Sequence, residues 1–123
     1  MSTHRQQTEH KTFSRPDETR SFPHGRAEIL NIGNGEVGRL VFEPGWRWSE
    51  SVKPIAKTDT CQVYHLLYIF SGRLGSSLAD GTILEFGPGD VGVIPPGHDG
   101  WVIGDEACVN LDFGGSKVYA KSA

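Results

Sequence analysis

The chain has 123 residues, a length typical of a single domain. Its formal net charge of −3 at pH 7 is too small to indicate nucleic acid or a membrane surface as a partner, and its basic residues are scattered among acidic ones. No apolar run approaches the roughly 20 residues of a membrane-spanning helix, and the N-terminus lacks the apolar stretch of a secretory signal. We therefore expect a cytoplasmic protein that binds neither nucleic acid nor membrane.

Cys61 and Cys108 are the two cysteines of the chain. In a sequence without a secretory signal, two cysteines argue against a disulfide framework and for reduced thiols. Such thiols are available as metal ligands or as small core residues.

Residues 1–25 are polar and show no apolar periodicity. We expect this segment to be a poorly structured tail, disordered or laid loosely along the domain, with no regular structure before Pro23. Its three histidines are His4, His10 and His24. Because an unordered segment does not preorganise ligands, these histidines are expected to be solvated.

Residues 26–123 read as one all-β domain. Glycine accounts for 16 residues of the chain and is mixed with proline and β-branched residues, a composition typical of short strands joined by tight turns. No window shows helical periodicity with caps over ten or more residues, so less than one turn of helix is expected in the barrel. The strand-like segments are 27–32, 36–43, 62–70, 72–78, 82–86, 91–94, 101–103, 107–113 and 117–120.

The pair Asp80-Gly81 lies between two of these segments. Asp-Gly is the strongest short-range signal for a hairpin, so a tight turn is expected here, with Gly81 at positive φ.

Two stretches resemble the conserved motifs of the cupin superfamily. Gly89 to Gly97 reads GDVGVIPPG, which matches the second motif: a glycine, five residues, a proline, any residue and a glycine. His65 to Leu74 reads HLLYIFSGRL and is similar to the end of the first motif. The resemblance covers about residues 36–113 and implies a jelly-roll β-barrel that holds a metal ion near its mouth, in a protein that pairs as a homodimer.

The sequence departs from the usual cupin ligands, which are a His-any-His pair, a glutamate and a later histidine. His65 stands at the glutamate position, and the histidine pair falls on Asp59 and Cys61. The later histidine falls on Gly100, but His98 lies two residues earlier, which is one strand period. A thiolate with two imidazoles suits zinc best, with iron(II) as an alternative.

The four candidate ligands also have structural explanations. Cys61 could be a small core residue, and His65 a hydrogen-bonded core histidine. His98 could be exposed in its turn, and Asp59 could only shape one. Placing Cys61 and His65 on one ion requires a bend, since side chains four residues apart in an unbroken strand are about 13 Å apart.

Four aromatic residues are candidates for walls of a ligand pocket: Trp46, Trp48, Tyr64 and Trp101. Trp46 and Trp48 alternate with Arg47, so both indoles are expected on one side of a strand. In the last full strand, 107–113, the average burial of each residue type favours an orientation in which Val109, Leu111 and Phe113 face inward. The alternative, with Asn110 and Asp112 inward, would give the pocket a polar wall.

Three functions stay open at this point. The first is a metal-dependent enzyme of the oxygenase, isomerase or lyase class that acts on a small organic molecule. The second is a non-catalytic domain that binds or senses such a molecule in the same pocket. The third is a metal-free structural barrel. The sequence contains no substrate signature, and a fold does not determine a function.

Overall fold

The computed structural model describes residues 7–115 and 119–121. Nine strands and two short helices form the regular structure of this part. The strands are β1 (Glu18–Phe22), β2 (Gly25–Ile32), β3 (Gly35–Phe42), β4 (His65–Ser71), β5 (Leu74–Leu78), β6 (Ile83–Phe86), β7 (Val91–Ile94), β8 (His98–Val102) and β9 (Cys108–Asp112). The helices, α1 (Trp48–Ser51) and α2 (Lys53–Ala56), lie between β3 and β4. Neither helix is long and apolar enough to cross a membrane.

The strands form two antiparallel sheets. The larger has the order β1-β2-β3-β9-β4-β7, and the smaller has the order β6-β5-β8. The non-sequential neighbours, such as β9 between β3 and β4, are the crossovers of a jelly roll. The apolar core takes residues from both sheets, including Leu40 and Ile69 from the larger and Leu74 from the smaller. The expected all-β cupin-type barrel is confirmed.

Strand β4 shows how alternation positions the candidate site. His65, Leu67 and Ile69 are buried, whereas Tyr68 and Phe70 are exposed. Because successive side chains point to opposite faces, burial of Leu67 and Ile69 carries His65 into the same interior. The packing of this strand therefore fixes the side of the barrel on which the imidazole lies.

The absence of regular structure expected before Pro23 is wrong for residues 18–22. Strand β1 pairs with β2 from Glu18↔Ile29 to Phe22↔Gly25. The ring of Phe22 is buried, with its centroid 6.2 Å from that of Phe42. Backbone pairing with β2 and the burial of the Phe22 ring stabilise this strand, although its polar composition does not predict one. Residues 7–17 contain no helix or strand.

The expectation of less than one helical turn is also wrong, because α1 and α2 have four residues each. Pro54 stands in the first turn of α2, where its missing N–H costs nothing, and Lys57 ends the helix with φ of 63°. Trp46 and Trp48 do not share a strand, since Trp48 begins α1. Both are nevertheless buried.

The predicted hairpin at Asp80-Gly81 is confirmed. Gly81 has φ of 90°, and its N–H donates to the carbonyl of Leu78 at 3.0 Å. The side chain of Asp80 accepts from the N–H of Thr82 at 2.9 Å. The last predicted strand, 117–120, falls partly outside the described residues, and Tyr119 and Ala120 lie in a turn.

Candidate metal centre

Cys61, His65 and His98 converge inside the barrel, and all three are buried. Cys61 forms an isolated bridge with His98: its N–H donates to the carbonyl of His98 at 2.8 Å. His65 begins β4, and residues 62–64 between it and Cys61 belong to no strand. The chain therefore bends between Cys61 and His65, as a shared site requires.

The spacing of the three donor atoms suits a metal ion. Sγ of Cys61 lies 3.7 Å from Nε2 of His65, and one donor atom from each of the three residues lies within 4.8 Å of the others. Tetrahedral zinc, with bonds of about 2.3 Å to sulfur and about 2.0 Å to nitrogen, separates these ligand atoms by about 3.5 Å. The donor types suit a divalent metal ion, and the separation between Cys61 and His65 is close to the one that a tetrahedral ion requires.

Both imidazoles use Nδ1 for a hydrogen bond and so leave Nε2 toward the site. Nδ1 of His98 lies 2.6 Å from the carbonyl oxygen of Pro95. Because that oxygen can only accept a hydrogen bond, Nδ1 of His98 carries a proton and donates. Nδ1 of His65 lies 2.5 Å from Oδ2 of Asp112. Such outer partners fix the tautomer and the ring orientation of metal-binding histidines. The arrangement is that of histidines prepared to ligate through Nε2.

Asp112 is the functional residue that the sequence reasoning set aside. Asn110 and Asp112 are fully buried, whereas Phe113 is exposed, so the expected orientation of β9 is wrong. The backbone N–H groups of Gly114 and Gly115 donate to Oδ1 of Asp112 at 2.9 and 3.3 Å. The carboxylate is buried because its two oxygens are satisfied by these donors and by His65.

The charges of the cluster are coupled. Burial by itself raises the pKa of the Cys61 thiol, but hydrogen bonds and charges from His65 and His98 outweigh it and lower that pKa to about 6. Burial by itself lowers the pKa of His65, but Asp112 and Cys61 outweigh it and raise that pKa to about 9. The two pKa shifts are in the directions that favour a thiolate–imidazolium pair of Cys61 and His65 in the metal-free protein.

Asp59, the expected fourth ligand, lies outside the cluster. Its side chain is fully exposed, and Oδ1 lies 3.8 Å from Nζ of Lys53. Among the described residues, no carboxylate joins the three donors as a ligand. A four-coordinate ion held here by these residues would have one position left for water or a small molecule.

The four candidate aromatic residues separate into two pairs. Trp46 and Trp48 are buried beside the histidines. Tyr64 is 46% exposed, and Trp101 is half-buried with the guanidinium of Arg47 4.9 Å from its ring centroid. Tyr64 and Trp101 do not line either of the two cavities beside the candidate metal centre. The sequence reasoning missed Tyr119, whose ring centroid is 5.5 Å from that of His65.

Two spaces adjoin the cluster. The inner cavity, of about 30 Å³, is lined by Trp46, His65, His98, Asn110 and Tyr119 among others. The outer cleft, of about 330 Å³, is lined by Cys61, by residues of α1 and α2, and by Tyr119 to Lys121. Trp48 and Tyr119 line both spaces. The cluster of Cys61, His65 and His98 therefore adjoins both a small interior cavity and a cleft large enough for a small organic molecule.

No family model and no curated protein matches the sequence. Solved structures do match the fold. A protein of unknown function from Rhizobium leguminosarum bv. viciae is 21% identical with a TM-score of 0.63, covering 87% of this chain and 95% of its own. The polyketide cyclase RemF from Streptomyces resistomycificus is 18% identical with a TM-score of 0.62, covering 89% and 80%. A cupin-like protein from Thermotoga maritima is 21% identical with a TM-score of 0.56, covering 87% and 82%. At these identities the likeness establishes the cupin fold.

Proposed function

We propose that this cupin-fold chain binds one divalent metal ion through Cys61, His65 and His98, and binds a small organic molecule beside that ion. Zinc is the expected metal and iron(II) the alternative. The observation that carries the proposal is the convergence of one thiol and two imidazoles at metal-ligand spacing, with Nδ1 of both imidazoles hydrogen-bonded elsewhere.

The composition of the donor set supports the choice of metal. A thiolate and two imidazoles favour zinc and other borderline-soft ions over magnesium or calcium, which prefer oxygen ligands. Three protein ligands with one open position are typical of catalytic rather than structural zinc sites. A divalent ion held here would supply Lewis acidity to an oxygen atom of the bound molecule.

The residues around the donors have separate parts in the proposal. Asp112 holds the ring of His65 in position and compensates the charge that the imidazole carries in the metal-free state. Trp46 and Trp48 exclude bulk water from the inner side of the cluster, since both are buried. The outer cleft gives a small molecule access to the side where Cys61 lies.

A second candidate function is a metal-free thiol nucleophile. Cys61, His65 and Asp112 form a chain in which Sγ lies 3.7 Å from Nε2, and Nδ1 lies 2.5 Å from the carboxylate. This order of nucleophile, base and orienting acid is the arrangement that activates cysteine for attack on an electrophilic carbon. His98 is a third donor, within 4.8 Å of the other two, that such a chain of nucleophile, base and orienting acid does not require, and its presence favours the metal site.

Cobalt substitution tests the proposed function. Cobalt(II) bound to a thiolate gives a sulfur-to-metal charge-transfer absorption, so the parent chain loaded with cobalt should show this band. Cys61→Ser should abolish it, and the matched control Cys108→Ser should retain it, because Cys108 is equally buried but is not part of the donor cluster. A parent chain that shows no such band contradicts thiolate ligation of a metal.

A further inference from the structure

Three buried polar atoms beside the metal centre have no hydrogen-bond partner among the described residues: Nε1 of Trp46, Oδ1 of Asn110 and the hydroxyl of Tyr119. In the part of the chain that the structure describes, no other buried side-chain nitrogen or oxygen lacks a partner. All three residues line the inner cavity. Since each buried polar group without a partner costs about 1–3 kcal/mol, the position of all three residues around one small cavity points to a ligand there.

The chemistry of the three atoms defines the group they would bind. The indole N–H of Trp46 can only donate a hydrogen bond, and a carboxamide oxygen can only accept one. Nδ2 of Asn110 already donates to Sγ of Cys108 at 3.8 Å, which directs its oxygen to the other side of the amide. Tyr119 can donate or accept. A single group that satisfies both must accept from Trp46 and donate to Asn110, as a hydroxyl group or a water molecule does and a carboxylate does not.

The size of the cavity limits the ligand further. About 10–15 Å³ of this measure holds one water molecule, so the inner cavity of about 30 Å³ accommodates roughly two non-hydrogen atoms. Most of the remaining lining is apolar, including Leu40, Leu67 and Ile94, and the hydroxyl of Ser76 already donates to the carbonyl of Asp99. A hydroxymethyl group has the required volume, one apolar carbon and one hydroxyl. A full negative charge would find no cationic side chain in the lining other than the two histidines.

We propose that the inner cavity, through Trp46, Asn110 and Tyr119, recognises a neutral hydroxyl group on the small molecule that the metal centre binds. In assigning this group to the bound molecule, the inference rests on the proposed function. Trp48 and Tyr119 border both the inner cavity and the outer cleft, so these two rings separate the proposed hydroxyl site from the cleft, and the rest of the bound molecule would reach the cleft beside them.

The test uses three probes of three non-hydrogen atoms each: ethanol, acetonitrile, which only accepts, and formate, which is an anion. The full chain, labelled with nitrogen-15, is titrated in zinc-loaded and metal-free form, and the indole N–H resonance of Trp46 is followed. That resonance is assigned by its loss in Trp46→Phe. Ethanol should shift it saturably at millimolar concentration, and acetonitrile and formate should shift it less.

Two variants separate recognition from folding. Tyr119→Phe removes a hydroxyl that has no protein partner among the described residues, so it should leave the melting temperature unchanged or raise it while weakening ethanol binding about five-fold. The matched control Tyr64→Phe removes an exposed hydroxyl and should change neither. Equal shifts with all three probes, no saturable shift, or an unchanged ethanol affinity in Tyr119→Phe would overturn the inference. A saturable ethanol shift in a chain that binds no zinc would support recognition in the inner cavity and refute the metal site. Zinc binding without an ethanol shift would support the metal site and refute recognition in the inner cavity.

Discussion

Nδ1 of His65 lies 2.5 Å from Oδ2 of Asp112, and this buried contact turns the other ring nitrogen of His65 toward Cys61. The pair connects β4 with β9, which are neighbouring strands of the larger sheet. Since the backbone N–H groups of Gly114 and Gly115 donate to the same carboxylate, the orientation of the imidazole is fixed by the fold. The candidate metal centre is therefore preorganised before any ion binds.

Asp112→Asn should weaken zinc binding about 10–100-fold without removing a ligand. The amide keeps an oxygen for the glycine N–H groups, but its NH₂ group donates to Nδ1 and moves the ring proton to Nε2, where it blocks ligation. Competition with a zinc chelator measures the change. Asp99→Asn is the control, because the Asp99 carboxylate accepts from the backbone N–H groups of Ser49 and Gly100, pairs with Arg47 and is not one of the donors. An unchanged zinc affinity in Asp112→Asn would show that the carboxylate does not orient the ligand.

In the metal-free protein, the alkylation of Cys61 should follow a pKa of about 6. The thiolate is the reactive form and a lowered pKa keeps it populated at neutral pH, so the rate should fall only as the pH drops below about 6. Cys108 is an internal control, because burial raises its pKa to about 11. Mass spectrometry after brief exposure to iodoacetamide reports both sites. A rate for Cys61 that still rises steeply above pH 8 would disagree with the thiolate–imidazolium pair.

Bound zinc should protect Cys61 from the same reagent, and a chelator should restore the reaction. The second candidate function predicts the opposite for a purified chain, namely full reactivity that a chelator leaves unchanged. The comparison thus separates the metal site from the metal-free nucleophile in one sample.

Gly81→Val should lower the free energy of unfolding by about 1 kcal/mol or more, because a β-branched residue is strained at φ of 90°. A Cβ at Gly81 meets no atom within 4 Å, so the cost comes from the backbone alone. Gly35→Val is the matched control: its Cβ also meets nothing, and its φ is not positive. Urea unfolding compares the two. Equal stability of both variants would show that the turn does not need glycine.

The two cupin-like motifs and the hairpin could be predicted from sequence because their glycines and prolines specify turns locally. The convergence of Cys61, His65 and His98 was predicted through the same motifs and is present in the structure. Strand β1 was missed because its stability comes from pairing with β2 and from the burial of Phe22, neither of which is visible in a polar segment. Helices of four residues leave no periodicity to detect.

Asp112 shows why part of the site could not be predicted. Mean burial assigns the apolar set of β9 to the interior, but the outer face of the larger sheet also carries apolar side chains, such as Tyr68, Phe70 and Val91. With apolar residues on both faces, alternation alone does not identify the inner one. Asp59 was included only by counting along the motif, and its position depends on a bend that the counting does not describe. The homodimer stays a prediction.

The metal content of the purified chain tests the central claim most directly. Protein prepared without chelator or affinity tag and dialysed against zinc should contain one zinc ion per chain by elemental analysis. Cys61→Ser, His65→Gln and His98→Gln should each contain substantially less while keeping the circular dichroism spectrum of the parent, and Asp59→Ala should retain the full amount, because that side chain is exposed and outside the cluster. Equally low zinc content in the parent and in all four variants would contradict the metal site and leave the cluster as a packed interior pocket.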